Sequence, residues 1–254
     1  MRKRILFMHI AKTAGSAVNA YLRKVLGPEK VLDHVETYQD RFDTFVETDR
    51  FREAQVVSGH VTAPALLDLL KVAKTNRAEW TVITVVREPT DHLISHLRWV
   101  QNTLRRGDRG LPDSIYRLAT DLEATALSDT DQVRHVLEKN RPISLTLFDN
   151  CQTRYFGQVR NYEVRATDVW KSLLLIAENF DHVVNQQALS RMLPRICNEC
   201  GIPHRNIKVP NENVQPLSGD DRLRSAEVRA AYSDLVRGDR LLLNGLRELP
   251  VYSA

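Results

Sequence analysis

The sequence predicts an α/β protein, an open and mostly parallel sheet flanked by helices and carrying a helical insertion. Three observations carry this expectation. Trp80 to Val86 (WTVITVV) is the strongest strand in the chain, rich in β-branched residues and apolar on both faces, as a strand inside a covered parallel sheet must be. Arg4 to Leu22 (RILFMHIAKTAGSAVNAYL) reads as a buried strand, a small-residue loop and the first turns of a helix. Strand-like and helix-like segments then alternate, with no internal repeat, low-complexity tract or linker. At 254 residues the chain is long enough for one full core, and residues 1–254 are expected to form a single domain.

Taken in order, Ile5 to Ile10 is an apolar run of strand length interrupted by His9. Ala11 to Gly15 forms the loop, and Ser16 stands where a helix N-cap belongs, ahead of Val18, Tyr21, Leu22 and Val25 at helical spacing. Gly27-Pro28 breaks this helix, and Lys30 to Val35 (KVLDHV) reads as a second strand. Residues 36–54 are polar with scattered aromatics, a short helix and loop. A third apolar run, AQVVSGHV, ends in Ser58-Gly59-His60. Ala65 to Ala73 is helical, with Pro64 in the permitted first turn. The WTVITVV strand runs into Arg87-Glu88-Pro89, and a helix spans about Thr90 to Arg105.

Residues 112–140 carry helical patterns and no strand, an insertion expected to lie over the sheet. Thr167-Asp168 caps a helix reaching Asn179, with Trp170, Leu173, Leu174, Ala177 and Phe180 assigned to one face. A strand at His182 to Val184, a helix from Gln186 to Cys200, a basic loop from Pro203 to Pro216 and a helical region from Asp220 to Leu249, interrupted at Gly238, complete the chain.

Composition bounds the function. Hydrophobic content of 43% and charged content of 27% are ordinary for a globular protein. A formal net charge of +4 suits an anionic ligand, whereas nucleic acid calls for a denser basic stripe. No apolar run approaches the length of a membrane span, and the short run after Arg4 lacks the cleavage region of a signal peptide. Three cysteines cannot build a disulfide framework. Cys197 and Cys200 form a CxxC, with Cys151 distant and His204 nearby, but Leu189, Met192, Leu193, Ile196, Cys197 and Cys200 share one helical face and read as core. A reducing, cytoplasmic setting is expected.

The loop AKTAGSA, between a strand and a helix N-terminus, is suited to an anion. Converging backbone N–H groups and the helix dipole supply partial positive charge, and Lys12 adds a full one. It is not a Walker A loop, because Lys12 precedes Gly15 and the loop is short, so it fits a 5′-terminal phosphate group better than a triphosphate. The same residues also fit a tight turn bearing a solvated lysine. The central strand ends in Arg87 where a P-loop NTPase wants a magnesium-binding acid, which points to a second phosphate; a surface Arg87–Glu88 ion pair is the plainer alternative. Ser95 follows about two helical turns later, close to the face that carries His92.

KTAGS after an apolar strand, followed by VVREPTDHLISH, resembles the paired signatures of PAPS-dependent sulfotransferases. SGHV, NCQTRYFG, AENFDHVVN and GDRLLLNGL resemble segments of the carbohydrate members, closest to the heparan and dermatan 2-O-sulfotransferase type, in matching order from about residue 4 to 246. The resemblance implies a P-loop-like fold, PAPS (3′-phosphoadenosine 5′-phosphosulfate) as sulfuryl donor, a hydroxyl of a glycan or glycolipid as acceptor, and no metal for the reaction. By the same resemblance, Lys12, Thr13, Ala14, Gly15, Ser16 and Ala17 hold the 5′-phosphosulfate, and Arg87 and Ser95 hold the 3′-phosphate. Lys208, in the Arg205 to Asn213 loop, closes over the nucleotide, and His60 is the catalytic base. Lys12 then also stabilises the departing phosphate. Ala11 and Ala17 depart from the family's usual residues.

His9 competes with His60 for the role of base but lies within the first strand, where structural hydrogen bonding is expected. Trp99 and Tyr155 fit sugar stacking or core equally, and Arg98, Arg105, Arg106 and Arg109 fit an anionic acceptor or a solvated helix end. Two other classes stay open, a nucleotide-dependent kinase or phosphotransferase with a degenerate P-loop and a non-catalytic anion-binding protein.

Overall fold

The computed structural model describes residues 2–157, 162–203, 207–210 and 221–254. Six strands form one all-parallel open sheet: β1 (Arg4–Met8), β2 (Val31–Leu32), β3 (Val56–Gly59), β4 (Trp80–Val86), β5 (His182–Asn185) and β6 (Tyr252–Ser253), in the order β2-β3-β1-β4-β5-β6. The chain moves from β1 to one side of the sheet and later returns to the other. Strand order therefore reverses at β1/β4, where an open α/β sheet leaves a crevice beyond its C-terminal edge.

Register aligns that edge. Met8 lies level with Gly59 on one side and with Thr84 on the other. The residues that follow, His9 and His60, consequently leave the sheet side by side, while β4 runs two residues further and delivers Arg87 beyond them.

Alternation along β1 divides the core. Leu6 and Met8 face one layer with Val57, Val82 and Val86, under the helices Ala63–Val72, Cys151–Gly157, Ala166–Asn179 and Arg237–Leu246. Ile5 and Phe7 face the other with Val56, Ile83 and Val85, under the helices Gly15–Leu26 and Leu189–Glu199. All seven residues of β4 are buried, as its two-sided apolar pattern requires. A third cluster lies off the sheet, where the helix Pro89–Gln101 packs against Asp113–Glu123 and Thr130–Lys139 through Leu97, Leu118, Leu122 and Val133. These last two helices occupy the 112–140 insertion.

Several expectations are corrected. β1 ends at Met8, because His9 and Ile10 turn into the loop. The second strand shrinks to Val31–Leu32, since His34 takes a left-handed φ of 57° and starts a 3-10 turn. The helix after β4 ends at Gln101, and Thr103–Arg106 forms a separate turn. Gly238 does not interrupt the final helix but lies inside it. A Cβ there would stand 2.9 Å from Asn150 Oδ1 and from Val164 Cγ1, so the glycine answers a close approach. The helix Ala166–Asn179 buries Val169, Ser172 and Ile176, leaving Trp170 and Leu174 exposed. β6, pairing with β5, was not expected.

Cys197 and Cys200 are buried core residues, and the Cys200 thiol lies 3.3 Å from Thr81 Oγ1. Among the described residues no helix is long and apolar enough to cross a membrane.

Candidate active site

The loop after β1 is built against local preference. Lys12 (φ 65°) and Ala14 (φ 75°) both adopt left-handed backbone, which costs a non-glycine residue about 1–2 kcal/mol. Tertiary hydrogen bonds hold the shape. Thr13, fully buried, donates from Oγ1 to Ile10 O at 2.9 Å, and His92 donates from Nε2 to Ala11 O at 2.7 Å. Tyr155 also hydrogen-bonds the Ala11 backbone. Strain fixed from several sides is characteristic of functional loops.

Ser16 is not the N-cap. The helix starts at Gly15, its cap is Ala14, and no side chain caps its first turn, which also lacks an acidic residue. The positive end of a twelve-residue helix therefore faces the loop with no side-chain cap and no acidic residue in its own first turn. Gly15 is required sterically, since a Cβ there would stand 1.8 Å from His9 Cδ2, so the imidazole lies directly on the glycine. Ala17 is buried beneath the loop and Ser16 is half-buried beside it.

Arg87 reaches the same place from β4. Its Nη1 donates to Lys12 O at 3.2 Å. Gln152 clamps its backbone from both sides, accepting from Arg87 N at 2.9 Å and donating to Arg87 O at 3.0 Å. The surface Arg87–Glu88 pair does not form. Glu88 turns away to cap its helix by accepting from Asp91 N at 2.8 Å, and binds Arg229 at 2.8 Å. Among the described residues neither Lys12 nor Arg87 has a salt-bridge partner. Burial, then Arg106 and then Arg87 lower the Lys12 pKa, and burial lowers that of Arg87 against the opposing pull of Asp91 and Glu88. Two partly desolvated cations converge on the open end of a helix, an arrangement that lowers the free energy of a bound polyanion.

His60 stands at the end of β3. Its Nδ1 donates to His9 O at 2.8 Å, a tautomer that leaves the Nε2 lone pair available as a base. Its backbone N–H donates to Glu36 Oε2 at 2.8 Å, and Glu36 Oε1 lies 2.9 Å from His34 Nδ1. Gly59 permits this closeness, because a Cβ would lie 2.6 Å from Glu36 Oε2 and 2.8 Å from Val35 N. Burial lowers the His60 pKa, the Glu36 charge and the His9 carbonyl oppose this, and the ring is neutral at pH 7. The His9 and His60 rings are 4.0 Å apart. His9 itself is held down to about 2, mainly by burial and then by His60, which makes it the weaker base of the two.

Lys12, Thr13, Ala14, Gly15, Ser16, Ala17, Arg87 and His60 thus gather at one sheet edge. Ser95 lies half-buried on the helix Pro89–Gln101. Lys208 is exposed, while its neighbours Ile207 and Val209 pack on the core; residues 204–206 and 211–220 of the surrounding basic loop lie outside the described residues. Tyr155 packs against the core, and Trp99 packs against the third cluster with the Arg106 guanidinium 5.3 Å from its ring.

The supporting groups escaped sequence reasoning. Asp239, fully buried, accepts from Gln152 N, Thr153 N and Thr153 Oγ1 at 3.1, 2.7 and 2.8 Å, which fixes the segment that clamps Arg87. The dense polar content of NCQTRYFG was the only signal for it. Among the described residues one cluster has metal-binding composition, His92, His96 and Cys151. No protein-family model matches the chain, and no curated protein matches it.

Proposed function

We propose that the protein is a PAPS-dependent sulfotransferase acting on a hydroxyl group, in a carbohydrate or glycolipid acceptor, in the cytoplasm. The observation that carries this reading is the convergence of Lys12 and Arg87, neither in a salt bridge among the described residues, on an uncapped helix start, beside a neutral His60 whose Nδ1–H is taken by the His9 carbonyl. Transfer requires the acceptor oxygen to bond to sulfur while the bond from sulfur to the phosphate oxygen breaks. The acceptor proton passes to His60 Nε2, assistance typically worth ~10²–10⁴-fold. Lys12 and the loop amides stabilise the charge growing on the departing phosphate. Arg87 discriminates for the 3′-phosphate, together with Ser95. Lys208 covers the nucleotide.

Calorimetric titration with adenosine 3′,5′-bisphosphate and with ATP tests the reading. The bisphosphate is expected to bind in the micromolar range or tighter, about −8 kcal/mol or stronger, with ATP much weaker. His60→Ala is expected to collapse turnover with PAPS while leaving bisphosphate affinity within about threefold. Equal affinity for the two nucleotides rejects the proposal, and normal turnover of His60→Ala moves the base elsewhere.

A further inference from the structure

His92 and His96 lie four residues apart on the helix Pro89–Gln101, so both rings leave the same helical face, with centroids 5.9 Å apart. Cys151, the first residue of the helix Cys151–Gly157, meets them from across the interface. The three donor atoms all lie within 4.8 Å of one another. None belongs to the surface, with exposures of 2%, 3% and 4% in chain order.

Hydrogen bonding leaves this group incomplete. His96 Nδ1 is buried with no partner among the described residues, and an unsatisfied polar atom of this kind costs about 1–3 kcal/mol. The Leu147 backbone also acts on the His96 ring, against the effect of burial. His92 is oriented by Nε2–H donating to Ala11 O at 2.7 Å, so Nδ1 is the nitrogen of that ring that keeps a lone pair. An imidazole held by a backbone carbonyl through one nitrogen, as His92 is, has the outer-sphere arrangement of a metal-binding histidine, and His96 offers a buried nitrogen with no partner among the described residues. Burial lowers both ring pKa values, keeping both imidazoles in the neutral, ligating form.

We propose that His92, His96 and Cys151 form a buried three-coordinate site for a monovalent thiophilic d10 cation, Cu(I). Thiolate and imidazole donors select soft ions. The donor count then selects among them. A structural zinc ion takes four ligands, and no fourth donor joins the cluster among the described residues. Cu(I) with one thiolate is electrically neutral, in surroundings that carry both signs, Lys12 and Arg87 acting on His92 and Asp239, Arg154 and Asp149 on Cys151. Phe148 and Trp99 lie against the His96 ring at 5.4 and 5.9 Å, an apolar wall that shields a reduced ion from water. Bonds of about 2.0–2.3 Å place trigonal ligands roughly 3.5–4 Å apart, so closing the site takes side-chain shifts of about 1 Å.

Binding converts the Cys151 thiol to a thiolate and releases one proton, with no change in oxidation state. The cation also locks His92 as the Nε2–H tautomer that holds the Ala11 carbonyl. The site therefore braces the strained loop from behind and is independent of what the loop binds.

Cys197 and Cys200 are a second pair of thiols that attract Cu(I), so the test uses the Cys197→Ala/Cys200→Ala variant, titrated anaerobically with Cu(I) against a chromophoric Cu(I) chelator. One tightly held equivalent per chain is expected, with about one proton released. X-ray absorption should show two nitrogens and one sulfur around copper. Adding Cys151→Ala or His96→Phe should weaken retention at least about 100-fold. No retention, retention unchanged by Cys151→Ala, or preference for Zn²⁺ over Cu(I) overturns the proposal. If the double variant does not fold, X-ray absorption of the copper-loaded wild type decides the matter. Two nitrogens with one sulfur supports the site, and a two-sulfur shell overturns it.

Discussion

The burial of His9 makes a quantitative demand on acid stability. In the folded chain its pKa is held down to about 2, first by burial and then by His60, His34 and Lys12. In the unfolded chain it returns to the ordinary value near 6.5. Below that value the unfolded state binds a proton that the folded state refuses, so this contribution is complete above pH 6.5 and is lost as pH falls. At pH 5 the loss is RT ln(1 + 10^1.5), about 2 kcal/mol, and at pH 8 it is negligible. This magnitude depends only on the folded value lying well below 5. Urea titrations of the wild type and of His9→Phe at pH 8 and pH 5 measure it. Phenylalanine retains a ring on Gly15 and beside Phe7 but does not titrate. A fixed packing penalty cancels, because only the difference between the two pH values is compared. The wild type should lose about 2 kcal/mol more than the variant on acidification. Equal losses, within about 0.5 kcal/mol, would refute the reasoning.

Two further outcomes follow from the frame of the site. Gly59→Ala drives a Cβ to within 2.8 Å of the Val35 backbone nitrogen, so overpacking should cost about 1–3 kcal/mol in denaturant and displace His60, lowering kcat while nucleotide affinity changes little. Asp239→Asn replaces an acceptor of three donors with a group that carries two donors of its own; it should destabilise the fold by about 1–3 kcal/mol and, through Gln152 and Arg87, weaken bisphosphate binding in calorimetry.

What could be read from the sequence was carried by backbone pattern and spacing. The two-sided apolar run of β4, the small loop after β1 and the Gly59-His60 turn each stand where strand periodicity predicted, and parallel register brings their ends together. What could not be read depends on partners far along the chain. The loop's left-handed residues are Lys12 and Ala14, not the glycine beside them, because Gly15 is used to admit the His9 ring. Apolar residues of the helix Ala166–Asn179 offered two overlapping stripes, and packing buried the one containing Val169 and Ile176 rather than Trp170. β6 consists of Tyr252 and Ser253, joined to β5 through backbone pairing that leaves no side-chain periodicity. Gln152 and Asp239 are polar residues whose roles exist only in three dimensions.

The parallel register has a consequence for the order of folding. Ile5 pairs with Val56 and with Thr81, so β1, although near the start of the chain, has no sheet partner until about fifty residues have followed it. Closing such loops loses chain entropy before any contact compensates, which makes central parallel pairings slow steps. The left-handed backbone of Lys12 and Ala14 cannot be sustained by local residues alone. It is shaped once β3 and β4 have docked and once His92 and Tyr155 have arrived from later segments. The loop after β1 is therefore encoded early in the chain and completed late in folding, and an intermediate that already holds most of the sheet need not yet contain it in its final shape.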